Sequence, residues 1–99
     1  MLELLKKPEA ETDLLKIWRY TFETWGETRA NHYLDGLELD MKQLTKTPYF
    51  GKSRDTLRTG YRSLHSGRHV IFYRVLDGAI EVIRILHDQM DPFLHIGLA

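Results

Sequence analysis

A chain of 99 residues, 42% apolar and 11% aromatic, is sized and composed for one domain around one core, and its composition excludes intrinsic disorder. It has no cysteine, which excludes disulfides, thiolate chemistry and cysteine-based zinc sites, and no apolar run approaches the ~20 residues of a membrane span. Fourteen basic and fourteen acidic side chains cancel, so the molecule as a whole is not built to live on nucleic-acid phosphate.

Leu2–Lys6 is short and apolar enough for a first strand, and the early Lys6-Lys7 pair leaves no room for the apolar core of a signal peptide. Absent cysteine and signal, a cytoplasmic location is the expectation. Pro8 opens a helix, where its missing N–H costs nothing, and Glu9, Glu11 and Asp13 complement the positive helix end. Ala10, Leu14, Ile17, Trp18, Thr21, Phe22 and Trp25 recur at three- and four-residue spacing, one face of an amphipathic helix ending at Gly26. A second helix runs from about Glu27 to Thr45 with Ala30, Tyr33, Leu34, Leu37, Met41 and Leu44 on its apolar face. The break is short enough to predict an αα-hairpin. Thr47-Pro48 ends it, and Tyr49–Thr59 is a polar connection without a period.

From Gly60 to Asp91 three strands follow as an antiparallel meander. Tyr61–His65 turns at Ser66-Gly67 into His69–Val75. Asp77-Gly78, the pair that most favours a type I′ turn, leads into Ala79–Leu86. The order is βααβββ, an α+β class with a helical hairpin packed on a mostly antiparallel four-stranded sheet. Leu14, Trp18, Leu37, Met41, Ile71, Tyr73, Val82 and Ile85 are the expected core. Beyond Asp91 a tail, residues 90–99, carries Phe93, Leu94, Ile96 and Leu98. Asp91 can cap and Pro92 can start a helical turn that puts Phe93 and Ile96 on one side. Such an apolar terminus either folds back on the sheet or meets another protein.

Charge is uneven along the chain. Residues 1–50 hold seven basic and nine acidic side chains, and residues 51–99 hold seven and five. Lys52, Arg54, Arg58, Arg62, Arg68 and Arg74 face only Asp55 in their stretch, which reads either as a charge-guarded strand edge or as a binding surface. His65 and His69 flank a turn without the acidic or cysteine partners a metal site needs, so no metal is expected. His32 reads as surface, and His87 as a strand-end residue bonding a backbone carbonyl. Trp18 and Trp25 share a helix face, as core or as interface anchors.

With this order in view, the chain resembles the ParE toxins of the RelE/ParE superfamily. Ala10-Glu11-Thr12-Asp13-Leu14 reading on to Trp25-Gly26, then Gly60-Tyr61-Arg62, then His69-Val70-Ile71-Phe72-Tyr73 through Ile83-Arg84-Ile85-Leu86-His87 to Met90-Asp91-Pro92 carry the likeness. The resemblance implies a single ParE-like toxin domain over residues 1–99 and a ParD-like antitoxin partner, hence a hetero-oligomer, with no cofactor and no membrane. It implies a target, DNA gyrase, poisoned without an enzymatic reaction. The other branch cleaves messenger RNA, and a third reading is a non-toxic partner in an antitoxin repressor complex. An RNase would draw on Arg62, Arg84 and His87. Strand parity places Arg84 with Ile80, Val82 and Leu86, and His87 with Glu81, Ile83 and Ile85, on opposite faces. Gyrase-directed candidates are Arg84, His87, Met90, Phe93 and Ile96. Antitoxin-directed candidates are Trp18, Trp25, Arg58, Arg62 and Arg74. Specific nucleic-acid binding by the chain alone is not expected.

Overall fold

The computed structural model describes residues 1–96; Leu98, the last apolar residue of the expected tail motif, lies outside the described residues. Strand β1 (Glu3–Lys6) leads into helices α1 (Pro8–Trp25) and α2 (Glu27–Leu44), a two-residue strand β2 (Lys52–Ser53), the meander β3 (Tyr61–Ser66), β4 (His69–Leu76) and β5 (Ala79–His87), and a single-turn α3 (Pro92–His95). The sheet order is β1-β5-β4-β3-β2, with β1 parallel to β5 and the other pairs antiparallel. The sheet thus has five strands rather than the expected four. The extra one arises because Arg62 and Ser63 pair with Ser53 and Lys52, drawing part of the polar connection into an edge strand.

The helices form where the apolar period and the stop signals agree. Pro8 occupies the first turn of α1, and Gly26, at φ 92°, separates the two helices, its N–H donating to the Phe22 carbonyl. The hairpin covers one face of the sheet. Ala10, Leu14, Ile17, Leu37 and Met41 pack there on Ile71, Val82 and Ile85, while Leu44, Tyr73 and Ile80 form a second buried group. Of the eight expected core residues, Trp18 alone is not buried; it stands at the rim, stacked on Phe22 and bonded through Nε1 to Asn31. Its ring is broad enough to continue the apolar period past the edge of the sheet, where no strand remains to cover it.

The opposite face carries its own core of Leu57, Tyr61, Phe72, Ile83, Leu86 and Ile96, supplied by the 54–60 loop and the end of α3. A β-bulge sets which residues of β5 reach this second core. Val82 pairs with Tyr73 but Arg84 pairs with Phe72, so Ile83 is an extra residue on β5. Alternation resets there. Val82 and Ile85 face the helices, whereas Ile83 and Leu86 face away. The expected grouping of Arg84 with Ile80 and Val82, and of His87 with Glu81 and Ile83, is therefore overturned. Arg84 and His87 lie on the same side of the bulge, three positions apart, and still diverge.

Both hairpin turns differ in detail from expectation. Only Gly78 takes positive φ (76°) in the Asp77-Gly78 turn, which excludes type I′. The first turn is Gly67-Arg68, between the paired residues Ser66 and His69, with glycine at the first central position. Gly67 is required twice over, by its φ of 60° and because a Cβ would meet the Tyr33 hydroxyl at 2.8 Å.

Candidate interaction site at the sheet edge and C-terminal turn

Beyond Lys6 strand β1 gives way to α1, and the outer edge of β5 loses its neighbour. Asp13 takes over. It sits at a core position of α1, three residues after Ala10 and four before Ile17, and is itself buried. Its Oδ2 accepts the Ile85 N–H at 2.9 Å, the bond a continuing strand would have made. The same carboxylate holds Arg84 through Nε at 2.7 Å and a second guanidinium nitrogen at 3.0 Å. A two-point carboxylate–guanidinium pair of this kind is rigid and directional, and its hydrogen bond is the first cause holding Arg84 above its ordinary pKa. The third guanidinium nitrogen donates to the His95 carbonyl at 3.0 Å. Arg84 thereby ties α1, β5 and the C-terminal turn together.

Asp91 caps α3 as expected, its side chain accepting the Phe93 N–H at 2.9 Å. The two expected tail contacts part company: Ile96 is buried against Tyr61 and Ile83, whereas Phe93 is 44% exposed and Leu94 79%. Met90 is exposed beside them in sequence.

His87 lies on the helix-facing side of the sheet, its ring edge-on to His69 at 5.4 Å. Its Nδ1 accepts the Gln89 N–H at 3.1 Å rather than donating to a carbonyl. His69 Nδ1 is 2.6 Å from the Tyr33 hydroxyl, which also accepts the Arg68 N–H. Burial, and next the nearby His87, lower the His69 pKa to about 4, and burial raises that of Tyr33. His69 is accordingly neutral and tied to α2. Among the described residues no group of three or more His, Asp or Glu converges as a metal site.

The basic stretch is divided by the sheet. Arg62 donates to the Gly51 and Tyr49 carbonyls and lies over the Tyr49 ring, on the side of Tyr73. Arg74 pairs with Glu81 at 2.7 Å, and Arg54 stands over Phe72 with a buried Nε that has no partner among the described residues. Arg58 is exposed at the mouth of a cavity described below. These arginines do not form one continuous surface. Trp25 is 61% exposed with Arg29 over its ring, and Leu15, Phe22 and Trp25 leave an apolar stripe on the outer side of α1 with Trp18. Sequence reasoning missed Asp13, Tyr61 and Lys7. The signal for Asp13 was an acid at an apolar-period position; for Lys7 and Tyr61 no local pattern exists.

The fold is of the α+β class, and the residues an RNase would draw on, Arg62, Arg84 and His87, stand apart, each hydrogen-bonded within the chain. The family described as "ParE toxin of type II toxin-antitoxin system, parDE" matches residues 4–92. The chain is 40% identical over 88 residues to Toxin ParE1 of Mycobacterium tuberculosis, covering 88% of this chain and 90% of that protein. It is 39% identical to Toxin ParE1 of Caulobacter vibrioides (89% and 91% covered) and 33% to Toxin ParE of Escherichia coli (84% and 82%). The fold matches a chain of the chromosomal ParDE toxin–antitoxin system from P. aeruginosa with a TM-score of 0.77 at 22% identity, over 88% of this chain and 96% of that one. The chain belongs to the ParE toxin family of type II toxin–antitoxin systems. No helix among the described residues is long and apolar enough to cross a membrane.

Proposed function

We propose that this chain is a cytoplasmic, non-enzymatic toxin that binds DNA gyrase and holds it on cleaved DNA, and that a ParD-like antitoxin restrains it. Family membership supports the toxin half of this reading. The observation that carries the non-enzymatic half is the engagement of Arg84. A cation that stabilises a phosphorane must be free to meet charge developing on the substrate, and this one spends its two-point contact on Asp13. His87, the other group with suitable chemistry, is on the other face of the sheet. For the target, the exposed Phe93 and Leu94 offer an apolar contact beside the anchored end of β5. For the antitoxin, the Leu15–Trp18–Phe22–Trp25 stripe offers aromatic anchors of the kind that dominate protein interfaces, and Arg58 offers a separate charged contact on the other side of the sheet.

The test is a paired assay. Pure protein is added to gyrase with supercoiled plasmid, and in parallel to a translating extract with primer extension on the message. Cleaved-complex accumulation with an intact message is expected; message cleavage without gyrase inhibition would reverse the assignment.

A further inference from the structure

On the sheet face away from the helical hairpin, a cavity of about 200 Å³ opens between the start of α1, the 58–61 segment, β5 and the C-terminal turn. Lys7, Glu9, Arg58, Tyr61, Arg84 and His95 contribute its polar lining, with Ile83 and Ile96 as apolar floor. Tyr61 is only 5% exposed, yet its hydroxyl makes no hydrogen bond among the described residues. That hydroxyl is not a buried orphan; it lines the cavity and is open to a partner from there. Lys7 and Arg58 form no ion pair among the described residues either. Arg84 is neutralised by Asp13, but only three of the five guanidinium N–H groups are used. Setting Glu9 against Lys7 and Arg58, with His95 counted as neutral, leaves one positive charge in excess.

We propose that this cavity receives the carboxylate of a single Asp or Glu side chain presented by a protein partner. One unbalanced positive charge matches one carboxylate. Lys7, Arg58 and the Tyr61 hydroxyl would supply charge-assisted donors, and Ile83, Ile96 and the Tyr61 ring suit the side chain's methylenes. A nucleic-acid phosphate is the poorer fit, because Glu9 lines the same space and the chain carries no net positive charge to hold a polyanion. The proposal deepens the antitoxin reading, since a restraining segment with an acidic residue at this point would lock α1, β5 and the C-terminal turn in one contact.

The experiment uses the full chain and small probes, so it does not depend on toxicity or on any antitoxin. Backbone and arginine side-chain NMR resonances are followed during titration with N-acetylglutamate N-methylamide, with the glutamine analogue, and with a short single-stranded oligonucleotide. Saturable, salt-sensitive shifts at Tyr61, Ile83 and Ile96 are expected with the glutamate compound and not with the glutamine compound. Arg58→Gln and Tyr61→Phe should each weaken that binding several-fold at unchanged melting temperature. Equal response to both amino-acid compounds, no saturation, or a response to the oligonucleotide alone would overturn the proposal. A toxin that fails against gyrase while still binding the glutamate compound would overturn the functional reading and leave this one standing.

Discussion

Asp13 shows how much one side chain can carry. It finishes the hydrogen bonding of β5 where β1 ends and fixes Arg84 in the same act. Asp13→Ala would leave the Ile85 N–H without a partner and the Arg84 guanidinium without its counter-charge, held only by the His95 carbonyl. A loss of about 3 kcal/mol is expected in urea unfolding, since breaking such a pair exposes the cost of the remaining charge. His69 makes a second prediction, with a definite sign. Its folded pKa, about 4, lies below the ordinary histidine value, so between those limits the unfolded chain binds more protons. Stability is therefore full above pH ~6.5 and falls as pH drops toward 4, by roughly 1–2 kcal/mol once partial solvent exposure is allowed for. Unfolding titrations at pH 7 and pH 5 on the wild type and on His69→Gln measure it; the variant should lose most of that slope. Gly36 is the opposite case. It sits inside α2 with nothing within 4 Å of an added Cβ, and Gly36→Ala should stabilise by about 0.5–1 kcal/mol because glycine's backbone freedom is all that is removed.

Among the elements, the C-terminal turn separates two roles within four residues. Ile96 belongs to the second core, so Ile96→Ala should cost about 2–3 kcal/mol and visibly lower the melting temperature. Phe93 and Leu94 point outward, and the double change to Ala should leave melting nearly unmoved while gyrase inhibition falls. A double variant that melts normally and still poisons gyrase at full strength would remove these residues from the target contact. The bulge on β5 decides which side chains stand beside this turn. It changes the facing of the residues after it: Arg84 joins the face of Phe72 and Ile85 turns to the helices, whereas Ile83, on which Ile96 rests, faces away from them with or without the bulge.

For the whole molecule, a net charge of zero means that association with a partner is steered by local fields rather than by overall attraction. Arg58, exposed and unpaired among the described residues, is the group most open to such steering, whereas Arg62 and Arg74 are held by Gly51, Tyr49 and Glu81. Charge reversal at Arg58 should slow antitoxin association and flatten its salt dependence, measured by stopped flow from low to high ionic strength; the same change at Arg74 should do less to the on-rate and more to stability. Arg84→Ala and His87→Ala should alter toxicity through stability or gyrase contact. Message cleavage abolished by either substitution in a folded protein would instead identify an enzyme.

The order of elements, the extent of both helices and most of the core were legible because each rests on local periodicity and on local stop signals: Pro8, Gly26, Pro48 and the glycines of the two turns. Seven of the eight expected core residues are buried for that reason. Tertiary structure decided whatever depends on residues far apart in the chain. Strand alternation alone puts Arg84 with Val82, but Ile83 bulges because two opposite faces both had apolar partners to offer, the helical hairpin on one side and Leu57 with Ile96 on the other. The run of arginines from 54 to 74 is contiguous in sequence and divided in space, since alternating strand residues and a turning loop send neighbours to different surfaces. Asp13 and Arg84, 71 positions apart, meet only because β1 runs parallel to β5 and then stops, leaving one strand edge for a helix to complete.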